Sequence, residues 1–125
     1  MADPVFLILG KNGWIGGMLQ EILTKQGKKY ILCDSRTQDR AGFEKELLDN
    51  KITHVLNAAG VTGRPNVDWC EDNKIETVST NVIGTLNAAE ICNKHGVHHL
   101  LYATGCIFEY DDEHTIGGKG FTEED

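Results

Sequence analysis

Apolar positions follow two rhythms along this chain. Val5, Phe6, Leu7, Ile8 and Leu9 form an unbroken run stopped by Gly10, which predicts a strand buried on both faces of a parallel sheet. From Trp14 the spacing lengthens to Ile15, Met18, Leu19, Ile22 and Leu23 and stops near Gly27, the stripe of an amphipathic helix. A second strand is expected at 30–33, a second helix around Phe43, Leu47 and Leu48, and a third strand at 53–57. Ile75, Val78, Val82, Leu86 and Ala89 predict a long helix closed by Lys94, His95 and Gly96. The fourth strand is expected at 97–103. Asp68, just before Trp69, is the expected N-cap of a helix there.

Strands and helices alternate, which implies parallel strands joined by right-handed crossovers. The expected fold class is therefore α/β: a Rossmann-type, doubly wound parallel sheet, here its N-terminal part with four strands and three main helices. Ligands in such sheets lie at the carboxyl ends of the strands, where strand order reverses. Three polar clusters fall at strand ends: 10–16, 57–64 and 104–106. With two prolines and no repeat or low-complexity tract, residues 1–125 read as one domain.

Composition narrows the function classes. The 125 residues suffice for one real core, burying roughly two-thirds of the unfolded surface. A net charge of −7 with Lys and Arg scattered along the chain speaks against a nucleic-acid or anionic-membrane surface. No apolar run approaches the ~20 residues of a membrane span. The start, M-A-D-P-V-F-L-I-L, has an acid where a signal peptide carries basic residues. Cys33, Cys70, Cys92 and Cys106 contain no C-x-x-C pair, so neither a zinc site nor a redox motif is expected and no metal is called for. A reduced, cytoplasmic protein is the simplest expectation. Cys33, Cys70 and Cys92 read as packing residues. His98 and His99 point to opposite faces of a strand and His54 begins another, so the histidines form no ligand set.

G-K-N-G-W-I-G places Gly10, Gly13 and Gly16 between the first strand and the first helix. The first glycine permits a tight turn, the second lets backbone approach a pyrophosphate, and the third lets the helix pack closely. The phosphates would meet the free N–H groups at the positive end of the helix. Beyond the second strand, Asp34 is placed to accept from a free ribose 2′-hydroxyl, favouring NAD, whereas Arg36 suits a 2′-phosphate, favouring NADP. Asp39, slightly further on, is placed to accept from the adenine amino group.

Several segments together resemble the extended short-chain dehydrogenase/reductase family: N-A-A-G at 57–60, Asn81 within T-N-V-I-G-T, and a strand ending A-T-G-C-I-F. V-T-G-R-P-N-V-D-W-C-E at 61–71 and Y-A-T-G-C-I-F-E-Y-D at 102–111 resemble its nucleotide-rhamnose synthase subgroup, the 3,5-epimerase/4-keto-reductases of UDP-rhamnose formation. The dTDP-4-dehydrorhamnose reductases are more distant relatives. The resemblance implies an enzyme using NADPH, with NAD as the alternative, on a nucleotide-sugar substrate, and a homodimer is compatible with it. It implies that Gly10, Asn12, Gly13, Trp14, Ile15 and Gly16 cradle the pyrophosphate. Asn57, Ala58, Ala59 and Gly60 would pass under the cofactor near the nicotinamide ribose, and Asn81 would support the site. Thr62 and Arg64 would face the substrate. Thr104 corresponds to the Ser/Thr that holds the substrate ketone, and Cys106 to a cysteine proposed as an acid/base for epimerisation. Arg36 and Arg40 fit the NADPH pattern, while Asp34 replaces a residue that is usually basic or small.

The chemistry accounts for a hydroxyl beside a thiol. A C4 ketone acidifies the hydrogens at C3 and C5, and a hydroxyl at its oxygen stabilises enolate and alkoxide alike. A thiol, with a reference pKa of ~8.5, can be tuned for proton transfer near neutrality. Thr104 and Cys106 are alternate residues and would share a face if strand geometry ran through Gly105. The family's Tyr-x-x-x-Lys pair is missing: four residues after Tyr30, Tyr102 and Tyr110 stand Asp34, Cys106 and His114. The chain is therefore expected to be the N-terminal part of a longer enzyme. A non-catalytic dinucleotide-binding or regulatory subunit is the alternative on the same fold.

Overall fold

A computed structural model describes residues 2–104 and 106–125. Its strands are β1 (Val5–Leu9), β2 (Lys29–Leu32), β3 (His54–Asn57) and β4 (His98–Leu101). All pairings are parallel, in the order β2-β1-β3-β4. Strand order reverses between β1 and β3, so the switch point lies at their carboxyl ends. The helices are α1 (Trp14–Lys25), α2 (Arg40–Asp49), the single turn α3 (Trp69–Asp72), α4 (Lys74–Val78) and α5 (Thr85–Lys94). A π-helical segment, Ser79–Gly84, joins α4 to α5.

The alternation of β1 divides the core in two. Leu7 and Leu9 face a cluster with Phe43 and Leu47 of α2, Val55 of β3, and Ala88, Ile91 and Cys92 of α5. Ile8 points the other way, to Leu56 and to Leu19 and Leu23 of α1. Helices thus cover both faces, and burying each large side chain contributes ~1.5–3 kcal/mol. The continuous apolar run of β1 is accounted for by this two-sided burial.

The long-helix expectation needs correction. Its stripe, Ile75, Val78, Val82 and Leu86, lies on the surface, with Ile75 90% exposed. The buried positions are Gly84, Ala88, Ile91 and Cys92, a second stripe at the same period. Two apolar stripes share one helix, and contact with the sheet selects the one with smaller residues. In α1 the expected stripe is split similarly: Leu19 and Leu23 are buried, whereas Met18 and Ile22 are partly exposed. Asp68 makes no side-chain cap at α3; its own N–H is accepted by Asn66 Oδ1 at 3.0 Å.

After β4 the described chain forms no further helix or strand. It gathers around Phe121, which stacks on Phe108 and on the buried His114, with ring centroids 4.7 and 4.2 Å away. His114 Nδ1 lies 2.9 Å from Asp111 Oδ1. The N–H of His114, and then its ring, hold the Asp111 carboxyl below its ordinary value.

Candidate functional site: two grooves at the switch point

Gly10 has φ +79°, and a Cβ there would lie 2.4 Å from the Ala58 carbonyl oxygen. The ends of β1 and β3 therefore touch at this residue, and only glycine fits. A Cβ at Gly16 would meet the Gly10 carbonyl oxygen at 2.1 Å. The third glycine thus lets the helix start pack closely against the end of β1. The Gly13 N–H donates to Gly10 O at 3.0 Å, and Gln20 Nε2 donates to Lys11 O and Gly16 O at 2.9 and 3.1 Å. Helix α1 starts without a side-chain cap and without an acid in its first turn. Its positive end is therefore available to an anion.

Two grooves flank this helix start and share Gly13, Ala58 and Gly60. The first, about 480 Å³, runs from Leu9–Gly13 over Ala58, Ala59 and Thr80 to 33–38 on the β2–α2 loop. The second, about 720 Å³, is lined by Trp14, Ile15, Val61, Thr62, Gly63, Arg64, Trp69 and Glu76. Both volumes lie in the range of small-molecule sites, ~300–1,000 Å³.

In the first groove Lys11 reaches from the glycine loop to form an ion pair with Asp34. That hydrogen bond raises the Lys11 ammonium above its ordinary value. Arg36 lines the same groove. Arg40 does not: it turns to α5, 2.7 Å from Asn87 Oδ1 and 2.8 Å from Glu90 Oε2. Asp39, expected near the adenine, is not among the groove's lining residues; its carboxylate accepts the Gly42 N–H at 3.1 Å and caps α2. Cys33, at the groove floor, is pushed up to about 12 by burial and then by the Glu46 carboxylate, so it stays a thiol.

Asn57 and Asn81 act on the loop backbone. Asn57 is 2% exposed; its Oδ1 accepts the Ala59 N–H at 3.1 Å and its Nδ2 lies 3.2 Å from His99 Nε2. Burial lowers the His99 pKa, which suits a neutral ring accepting from the amide. Asn81, from the π-helical segment, makes paired 2.8 Å bonds with the N–H and carbonyl of Val61. The two asparagines thereby fix the floor shared by both grooves. Lys11, Gln20, Trp69, Glu76 and Thr80 were not expected at the site from the sequence. The adjacency of Lys11 to the glycines and of Thr80 to Asn81 was the available signal.

Thr104 and Cys106 line neither groove. β4 ends at Leu101, short of the expected 103, and both side chains are exposed. Thr104 Oγ1 accepts the Cys106 N–H at 3.1 Å. The shared-face expectation depended on Gly105, which lies outside the described residues. Among the described residues no group of three or more His, Cys, Asp or Glu side chains is arranged to hold a metal, and no helix is long and apolar enough to cross a membrane.

A parallel sheet with an uncapped glycine-loop helix at its switch point defines a Rossmann-like, dinucleotide-binding type of fold. The model of the NAD dependent epimerase/dehydratase family matches residues 6–124, and the chain belongs to that family. It is 55% identical over 121 residues to an Arabidopsis thaliana bifunctional dTDP-4-dehydrorhamnose 3,5-epimerase/dTDP-4-dehydrorhamnose reductase, covering 96% of this chain and 40% of that protein. A trifunctional Arabidopsis UDP-glucose 4,6-dehydratase/UDP-4-keto-6-deoxy-D-glucose 3,5-epimerase/UDP-4-keto-L-rhamnose-reductase is also 55% identical over 121 residues, which cover 96% of this chain and 18% of that protein. Among solved structures, the UDP-rhamnose synthase of Acanthamoeba polyphaga mimivirus matches with a TM-score of 0.87 and 36% identity, over 99% of this chain and 45% of that one. A Bacillus anthracis dTDP-4-dehydrorhamnose reductase in complex with NADP, 20% identical, shares the fold with a TM-score of 0.70 over 79% of this chain and 35% of that one. The chain spans less than half the length of each of these relatives.

Proposed function

We propose that this chain is the cofactor-binding portion of a nucleotide-sugar 3,5-epimerase/4-keto-reductase, which uses NADPH to make a nucleotide-linked rhamnose from a UDP-linked 4-keto-6-deoxy sugar. The observation that carries the reading is a pair of grooves meeting across an uncapped helix start, in a chain 55% identical to rhamnose-forming epimerase/reductases. The adenosine half of the cofactor occupies the first groove, its pyrophosphate rests on Gly10–Gly13–Gly16 and the α1 N–H groups, and the nicotinamide ribose lies over 57–60. NADPH supplies the hydride. Thr62 and Arg64 hold the sugar nucleotide in the second groove. Thr104 donates to the C4 ketone and stabilises charge on its oxygen, and Cys106 moves a proton at C3 or C5. The longer enzyme is cytoplasmic and homodimeric in this reading.

The choice of NADPH is supported by the Lys11–Asp34 pair. A lone Asp34 would repel a 2′-phosphate, but paired it presents no net charge, and Arg36 remains to hold the phosphate. Titrating the protein with NADPH and NADH tests this, with Gly16→Ala as control because its methyl cannot fit against Gly10. NADPH is expected to bind more tightly, and Gly16→Ala to abolish binding of both. Folded protein that binds neither cofactor overturns the dinucleotide reading; a preference for NADH overturns the NADPH assignment.

A further inference from the structure

The β2–α2 loop is held from beneath by a residue that faces away from the first groove. Glu46, half-buried on α2, accepts the Asp34 N–H on Oε1 at 2.9 Å and the Ser35 N–H on Oε2 at 3.0 Å. The Cys33 thiol is 3.6 Å from Oε2. Two consecutive backbone N–H groups at a strand end form an anion-binding concavity, and here a carboxylate of the chain itself fills it. Burial raises the Glu46 pKa, but the N–H groups of Asp34 and Ser35 outweigh it and hold the group below its ordinary value. The carboxylate is therefore charged, and its two bonds are charge-assisted. Asp34, one of the two side chains offered to the ribose 2′ position, issues from between the two peptides that Glu46 fixes, and Arg36, the other, directly follows Ser35.

We propose that Glu46 is a positioning residue for recognition of the cofactor's 2′ substituent. By holding the loop's own N–H pair it fixes the loop from the side away from the groove, so that discrimination rests on the Arg36 guanidinium and the Lys11–Asp34 pair in one fixed geometry. The proposal rests on the dinucleotide reading above.

The test compares dissociation constants of 2′,5′-ADP and 5′-ADP for the parent and for Glu46→Ala and Glu46→Gln. Losing the fixed loop should move the ratio of the two constants towards one by ~10-fold in Glu46→Ala, the worth of a hydrogen bond to a charged group. The 5′-ADP affinity, which depends on the glycine loop, should change by less than about twofold, since none of its contacts is touched. Glu46→Gln keeps the size and one acceptor oxygen and should fall between; it carries the test alone if the alanine variant does not fold. Equal weakening of both ligands, or an unchanged ratio in a folded variant, makes Glu46 a packing residue and overturns the proposal. If the folded parent binds neither ligand, the dinucleotide reading itself has failed.

Discussion

In the proposed reaction Thr104 and Cys106 serve different steps, so their replacement should separate those steps. In the longer enzyme, Cys106→Ser keeps the size and raises the side-chain pKa far out of range. Solvent-deuterium exchange at C3 or C5 should fall by ~10²-fold or more, the usual worth of a general acid/base. Reduction of a 4-keto sugar already in the product configuration should survive. Thr104→Val should slow both, by ~2–4 kcal/mol on oxyanion-hole precedent. Deuterium incorporation by NMR beside NADPH oxidation reads both steps, and exchange at the parent rate in Cys106→Ser would leave the thiol with no chemical role. Two buried thiols have no such role: burial pushes Cys92 up to about 11, and burial with the Glu46 carboxylate pushes Cys33 up to about 12. Neither supplies thiolate near neutrality.

Between elements, Glu44 of α2 clasps the C-terminal end of α5. Its Oε1 accepts from Lys94 Nζ at 2.7 Å and lies 2.5 Å from His95 Nε2. The Lys94 ammonium also suits the negative end of that helix. The Lys94 and His95 hydrogen bonds lower the Glu44 pKa from 4.5 to about 2. A carboxyl with a folded pKa below its unfolded one stabilises the fold above pH 4.5. That contribution is lost as pH falls from there towards 2. Glu44→Gln should therefore flatten the acid limb of stability against pH in that window and leave its shape above pH 6 alone. Chemical denaturation at pH steps would show it; an identical acid limb in the variant would mean that the clasp carries no linked protons.

For the molecule as a whole, both grooves at the switch point are formed, and the reduction proposed above needs a proton donor as well. None of Tyr30, Tyr102 and Tyr110 has lysine four residues on. The 125-residue chain should bind cofactor yet leave NADPH unoxidised in the presence of the 4-keto-6-deoxy sugar nucleotide. A turnover rate near that of a longer form would show that protonation of the alkoxide needs no Tyr-x-x-x-Lys pair. The two grooves meet only because β1 and β3 are neighbours in the sheet while 48 residues separate Val5 from Thr53, whose hydroxyl accepts the Val5 N–H.

The sequence by itself determined the parallel α/β class, the glycine loop and the order of the elements. These follow from local rules: an apolar run for a doubly covered strand, a three-to-four spacing for a helix, and glycine where a Cβ has no room. Tertiary structure decided which apolar stripe of the 74–94 stretch is buried, because both stripes have the helical period and only contact with the sheet chooses between them. It also decided the fate of the charges after β2. Asp39 serves the α2 N-terminus, Arg40 serves α5 and Asp34 serves Lys11. Each depends on a partner brought close by folding: Lys11 is 23 residues from Asp34, and Asn87 47 residues from Arg40. Ionic and hydrogen-bonding side chains take the nearest complementary group in space, and spacing along the chain carries little information about which group that will be.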